Sequence, residues 1–221
     1  MNNDQNTLSR GAWIRIILPV VLIGCSSASE LKHPAYPTYF RNIRTILVMP
    51  PEFDVYQQVG DGSVVRRDDY SQTARSDILK ALNQSLANKH LQVRIAGDEF
   101  LQETETTSLQ ALFRAVHHSI QLHTQGPQYF PSKLQSFDYE LGSVTELLEE
   151  SAADALILVL GHQTVSKDQP KSWISIAVVE PQGRVIWYNV VAATTDSGTH
   201  FSQEAPNLVN QALNAFSGEA L

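Results

Sequence analysis

Residues 155–160, Ala-Leu-Ile-Leu-Val-Leu, form an unbroken apolar run. A strand with one wet face would alternate polar and apolar residues, so an uninterrupted run predicts a central strand that is covered on both faces. Residues 46–49, Ile-Leu-Val-Met, repeat the pattern and stop at Pro50 and Pro51. Proline cannot donate a hydrogen bond to a sheet ladder, and the second strand is therefore predicted to end there.

Helices and hairpins are predicted around these two strands. Two amphipathic helices follow from apolar residues that recur at every third or fourth position. These are Ala74, Ile78, Leu82 and Leu86 in the first helix, and Leu109, Leu112, Val116 and Ile120 in the second. A glycine-rich turn within residues 55–67 predicts an exposed hairpin, and alternation on either side of 181–184 predicts another. We expect a single α/β domain with a mixed β-sheet packed by helices, in the order β-α-β-α-β-β-β-α.

The amino-terminal segment has the features of a bacterial export signal. Arg10 and Arg15 supply the positive charge, and the apolar run that ends at Gly24 supplies the hydrophobic part. That run is interrupted by Pro19 and falls well short of the roughly 20 apolar residues that a transmembrane helix needs. We predict a signal peptide over 1–24, a lipidated tether over 25–43, an α/β domain over 44–217 and a tail over 218–221.

The residues Leu22, Ile23, Gly24 and Cys25 resemble the bacterial lipobox, whose cysteine becomes the first mature residue and carries diacylglycerol and palmitate-type acyl chains. An unpaired cysteine in a secreted chain needs an explanation, and a thioether to diacylglycerol supplies one. Ser26, rather than an aspartate, follows the cysteine. By resemblance to other bacterial lipoproteins, this implies anchoring in the outer membrane on its periplasmic face.

The charge balance argues against two classes of partner. Removing residues 1–24 takes away two arginines and one aspartate, which leaves a net charge of −8. An acidic surface of this kind disfavours nucleic acid and anionic lipid as partners.

The histidines raise the question of a metal site or an enzyme. His117, His118 and His123 lie near Asp138 and Glu140 in the sequence, and His with carboxylate ligands can bind zinc. Residues one or five positions apart on a helix do not share a face, so the spacing favours histidines on the polar side of a helix. No serine lies in a Gly-x-Ser-x-Gly turn. We therefore predict no catalytic residue, no metal, no cofactor and no enzymatic activity.

The long segment 125–141 is rich in aromatic residues. Tyr129, Phe130, Phe137 and Tyr139 are the candidate partner-binding residues, because aromatic side chains on ordered surface loops often anchor a protein partner. The alternative is that the segment packs over the sheet. The sequence does not separate the two.

Two sets of residues resemble known proteins. Residues 46–50, 149–159 and 177–188 resemble bacterial envelope lipoproteins that share the fold of the amino-terminal TolB domain and of the curli secretion lipoprotein. The resemblance gives Gly183 a role in a turn and Trp187 a role in packing. Residues 66–71, 113–118 and 137–142 are similar to segments of uncharacterised proteobacterial lipoproteins.

Three functions are compatible with the sequence. The first is a lipid-anchored accessory or assembly protein of the cell envelope that acts through protein–protein contacts. The second is a small-ligand or lipid-binding module of an envelope transport system, and the third is a metal-dependent hydrolase. The sequence identifies neither the partner nor the oligomeric state.

Replacing the cysteine tests the anchor directly. We expect Cys25→Ala to leave the membrane fraction and to lose normal maturation, because acyl chains attached at one thiol contribute about 0.8 kcal/mol per buried CH₂ to membrane binding. Fractionation of cells and mass spectrometry of the mature amino terminus measure this. A Cys25→Ala protein that still fractionates with membranes would contradict the prediction.

Overall fold

The computed structural model describes residues 27–60, 62–97, 104–127, 129–166, 171–194 and 201–217. The strands are β1 Ser27–Lys32, β2 Thr45–Val48, β3 Glu52–Gln58, β4 Val64–Arg66, β5 Gln92–Ile95, β6 Ala155–Val165, β7 Lys171–Val179 and β8 Val185–Thr194. The helices are α1 Tyr36–Phe40, α2 Asp68–Ala87, α3 Thr104–Thr124, α4 Pro131–Gln135, α5 Thr145–Glu150 and α6 Phe201–Asn214.

One open, mixed sheet of eight strands organises the domain. Strand β6 lies in its middle, and β7, β8 and β1 follow on one side with antiparallel pairing throughout. On the other side, β2 runs parallel to the first half of β6 and β3 runs parallel to the second half. The sheet then continues as β5 beside β2 and as β4 beside β3. The predicted α/β class with a mixed sheet is confirmed.

The two prolines explain why one stretch of chain forms two strands. Met49 still donates its backbone N–H to Ile157 at 3.0 Å, whereas Pro50 and Pro51 have no N–H to donate. Pairing with β6 resumes at Glu52, opposite Leu160. Hydrogen bonding to β6 is thus interrupted at the two prolines, but the chain stays in the sheet and continues as β3.

Helices cover both faces of the sheet. On one face α1, α2 and α6 enclose a core that includes Ile78, Leu82, Trp187 and Phe216. On the other face α3, α5 and residues 137–144 enclose a second core around Leu156, Leu158 and Tyr188. The first half of β6 is buried on both sides, as its unbroken apolar run predicts.

Residues 27–43 are part of the domain, whereas the sequence analysis assigns them to a tether. Strand β1 pairs with β8 from Ser27 opposite Ala192 to Lys32 opposite Trp187. The Trp187 indole N–H donates to Glu30 at 2.7 Å, and the buried Tyr36 donates its hydroxyl to the Ser217 carbonyl at 2.8 Å. The predicted signal peptide, Cys25 and the predicted tail 218–221 lie outside the described residues.

A carboxylate fixes the start of β2. Asp154 accepts hydrogen bonds from the backbone N–H groups of Arg44 and Thr45, both at 2.8 Å. Asp154 directly precedes β6, and its carboxylate therefore ties the start of β6 to the start of β2. Within the described residues, no helix is long and apolar enough to span a membrane.

Gly183, in the β7–β8 turn, is expected to tolerate no side chain. Its φ is +90°, and a Cβ there would lie 1.7 Å from the Gly142 carbonyl oxygen. Because both the positive φ and the clash oppose alanine, Gly183→Ala is expected to reduce the free energy of unfolding by at least about 2 kcal/mol. Urea denaturation of the purified domain measures it.

Gly60→Ala is the matched control for this substitution. No atom lies within 4 Å of a Cβ built there, so alanine should change stability by no more than about 0.5 kcal/mol. Equal effects of the two substitutions would show that the turn does not pack against Gly142 as described.

Candidate functional site

The four aromatic candidates divide into two buried and two exposed residues. Phe137 is 1% exposed and Tyr139 is also buried, both within the second core. Tyr129 and Phe130 are about half exposed, at 52% and 50%. The prediction of a four-residue aromatic binding surface is therefore wrong for Phe137 and Tyr139, which pack over the sheet, while Tyr129 and Phe130 are accessible.

His117 lies against the sheet, not on the polar side of its helix. Its ring stacks on Trp173 with centroids 5.0 Å apart and 5° between the planes. The His117 Nδ1 lies 2.8 Å from the Tyr188 hydroxyl, which also accepts a hydrogen bond from the Gln121 side chain at 3.0 Å. Burial, with a smaller contribution from His118, lowers the pKa of His117 to about 4. The ring is consequently neutral at neutral pH, and its Nδ1 shares a hydrogen bond with the tyrosine hydroxyl.

The other two histidines are separated from His117 and from each other. His123 Nδ1 lies 3.0 Å from the Tyr139 hydroxyl, and its ring contacts that of Phe130. His118 is exposed. The prediction that all three line a solvated helix face is right for His118 and wrong for His117 and His123. The reason is that α3 crosses the sheet face that carries Trp173 and Tyr188, whose rings contact His117. The ring of His123 contacts Tyr139, in the segment 137–144 that packs over the same face.

Of the two carboxylates near the histidines, that of Asp138 is paired with Lys133 at 2.6 Å. The backbone of Glu140 forms an antiparallel β-bridge with Arg184. Across the described part of the chain, no group of three or more His, Cys, Asp or Glu side chains is placed to hold a metal ion.

A groove between α3 and α5 is the concave feature that sequence reasoning missed. Its volume is about 680 Å³. One wall is the first half of α3, and the other wall is the segment that leads into α5 together with α5 itself. The residues that line it are Ser108, Leu109, Leu112, Leu141, Ser143, Val144, Thr145, Glu146, Leu147, Glu149 and Glu150.

Both apolar and polar side chains line the groove, and three of the polar ones are carboxylates. Leu141 and Val144 are buried, and Leu112 is exposed on the α3 side. Glu146, Glu149 and Glu150 are all exposed on α5. The described residues that line the groove include no lysine or arginine, so the groove carries an uncompensated negative charge.

Both walls of the groove are held by contacts to the sheet. Arg114 of α3 forms a salt bridge with Glu52 at 2.6 Å. On the other side, the backbone N–H groups of Leu141 and Val144 donate to the carbonyls of Gly183 and Pro181, at 2.8 and 2.9 Å. Because both walls are attached to strands or to the β7–β8 turn, the groove is a preformed feature of the fold.

Comparisons with known proteins give a likeness of fold. No family model matches the chain, and neither does any curated protein. Among solved structures, the PelC dodecamer from Paraburkholderia phytofirmans is 13% identical, with 86% of this chain and 95% of that chain covered and a TM-score of 0.46.

Two further structures match less well. A lipoprotein from Neisseria meningitidis is 11% identical, with 78% of this chain and 99% of that chain covered and a TM-score of 0.38. The LpoB C-terminal domain from Salmonella enterica is 12% identical, with 72% and 96% covered and a TM-score of 0.27. With TM-scores of 0.46 and lower, these likenesses carry no argument about function.

Serine substitutions distinguish the buried aromatic residues from the exposed ones. We expect Phe137→Ser to cost about 3–5 kcal/mol, because it empties a buried ring site in the second core. The double variant Tyr129→Ser and Phe130→Ser should change stability by no more than about 1 kcal/mol, since both rings are half in solvent already. Chemical denaturation measures both, and a large loss in the double variant would assign those rings to the core.

Proposed function

We propose that this chain is a non-enzymatic, lipid-anchored accessory or assembly protein of the bacterial envelope, which binds a protein partner in the groove between α3 and α5. The observation that carries the proposal is the groove itself, with the leucines and the glutamates that line it. The anchor is Cys25, and the location is the periplasmic face of the outer membrane. The lipobox residues Leu22, Ile23 and Gly24 and the following Ser26 support that location.

The chemistry of the groove selects a type of partner. Leu109, Leu112 and Leu147 suit an apolar face, and Glu146, Glu149 and Glu150 suit lysine or arginine beside it. An amphipathic helix that lies in an apolar groove is a common mode of peptide recognition. We therefore propose a basic amphipathic segment of another envelope protein as the occupant.

The position of the groove also favours a partner in the periplasm. Its α5 wall is bound to the β7–β8 turn, through Thr145 Oγ1 and Val144 N–H to the Pro181 carbonyl. Strand β8 begins at that turn and ends beside Ser27, close to Cys25 in sequence. The α5 wall of the groove therefore lies toward the end of the sheet opposite the proposed lipid anchor.

The histidines support a non-enzymatic role. His117 is stacked on Trp173 and bonded to Tyr188, and His123 contacts Tyr139 and Phe130. These contacts leave a hydrolase as the least supported of the three functions. A ligand-binding module is the second candidate, because a volume of about 680 Å³ would also suit a small molecule.

Site-specific crosslinking in intact cells tests the groove. Photoreactive p-benzoylphenylalanine in place of Leu112 should form an adduct with one protein, and the crosslinked peptide should be amphipathic and basic. In a variant that carries the photoreactive residue together with Glu146→Lys, Glu149→Lys and Glu150→Lys, the adduct should be absent. The three lysines repel a basic segment. Mass spectrometry identifies the adduct and its peptide.

The control places the photoreactive residue at Asn83, an exposed position of α2 on the other face of the sheet. The proposal fails if Asn83 yields the same adduct as Leu112, or if the Leu112 adduct survives charge reversal. A stoichiometric small molecule that copurifies with the protein and blocks crosslinking at Leu112 would instead assign the groove to ligand binding.

A further inference from the structure

The strand registers place one end of the sheet next to the proposed lipid anchor. Ser27 of β1 lies opposite Ala192 of β8, which lies opposite Trp173 of β7. Trp173 in turn lies opposite His162 of β6, which lies opposite Asp54 of β3. The sheet twist rotates neighbouring strands but does not exchange their ends. The start of β1 and the end of β3 therefore lie at the same end of the sheet.

The distance from the anchor to that end is short. Cys25 precedes Ser27, the first residue of β1, by two positions. An extended residue spans at most about 3.5 Å, so the cysteine Cα lies at most about 7 Å from the first residue of the sheet. Acyl chains on Cys25 therefore bring this end of the sheet to the bilayer surface. This step rests on the lipid anchor of the proposed function.

The β3–β4 hairpin extends the sheet farther in the same direction. Strand β3 continues four residues beyond Asp54 to Gln58, and a turn closed by Val59 N–H to the Ser63 carbonyl, at 2.9 Å, leads into β4. Val59, Val64 and Val65 are 40%, 55% and 47% exposed. They account for three of the eight large apolar side chains that are exposed among the described residues.

The exposed valines lie on both faces of the hairpin. Val64 and Val65 are consecutive in β4, so their side chains point to opposite faces, and they pair with Gln58 and Gln57. A protein partner docked on one side would leave one of them in solvent. A lipid layer that surrounds the tip covers both.

Charge contributes little to this end of the hairpin. Arg66 pairs with Asp54 at 3.0 Å and Arg67 pairs with Asp69 at 2.8 Å, so neither cation is free for lipid phosphates. The turn also contains Asp61, which lies outside the described residues. An aspartate in the turn restricts such a tip to the depth of the polar head groups.

We propose that the tip of the β3–β4 hairpin, through Val59, Val64 and Val65, lies in the head-group layer of the bilayer that holds the Cys25 acyl chains. The domain is then fixed to the membrane at two points, the lipid at the β1 edge and the hairpin at the other edge of the same sheet end. Two points of attachment restrict tilting. The α5 wall of the groove, at the opposite end of the sheet, is thereby held at a distance from the membrane.

Depth-dependent fluorescence quenching tests the contact in the full lipidated protein. The acylated protein is reconstituted in vesicles of phosphatidylethanolamine and phosphatidylcholine, a fraction of the latter carrying a nitroxide on its head group. A nitrobenzoxadiazole label on Val64→Cys should be quenched several-fold more than the same label on Ser143→Cys, an exposed position at the opposite end. The wild-type protein should take no label, since its only cysteine is a thioether.

The outcomes separate this inference from the anchor on which it rests. Equal, weak quenching at both positions, with the protein still bound to vesicles, overturns the hairpin contact and leaves the anchor intact. Labelling of the wild-type thiol, or protein that does not float with vesicles, overturns the anchor and the contact together. An unquenched but blue-shifted label at position 64 that reverts on dilution shows that a second copy covers the hairpin, and it overturns the contact with lipid.

Discussion

Strand β6 is the element on which the other parts of the structure depend. Its eleven residues pair with β7 along one side and with β2 and then β3 along the other. Its first half is buried by helices on both faces, which requires an apolar run without interruption. The two cores lie on the two faces of this strand, and β2 and β3 both pair with it, on either side of the break at Pro50 and Pro51.

The parts that sequence patterns predicted correctly are those with a strong local signal. The apolar run of β6 and the four-residue repeat of α2 reflect burial that the sequence itself displays, and the β7–β8 hairpin was predicted from the turn at 181–184. Strand β1 has no such signal. Its Ser27–Lys32 segment lies at a sheet edge with half-buried side chains from Glu30 to Lys32, and it is held by a ladder to β8 that lies far away in the sequence. The segment by itself therefore predicts a tether, because its partner strand is distant in the sequence.

The candidate site was less predictable because it depends on which side chains meet. Phe137 and Phe130 belong to the same aromatic segment, yet only the tertiary contacts decide that one is buried and the other exposed. The groove is lined by residues 108–112 and 141–150, which neither share a motif nor adjoin in sequence. The sequence contains Leu112 and the glutamates of α5, but it does not show that they line the same groove. The resemblance to the TolB amino-terminal domain and the curli secretion lipoprotein stays a prediction.

The pairing of β1 with β8 has a mechanical consequence. A force applied at Cys25 acts along the axis of β1, and therefore loads the hydrogen bonds between Ser27–Lys32 and β8 in shear rather than one after another. Hydrogen bonds that are loaded together in shear resist a force better than hydrogen bonds that break one at a time. The indole of Trp187, bonded to Glu30 within this ladder, adds a side-chain link across the two strands. Under the proposed anchor at Cys25, this ladder would let the domain bear tension without unfolding from the start of β1.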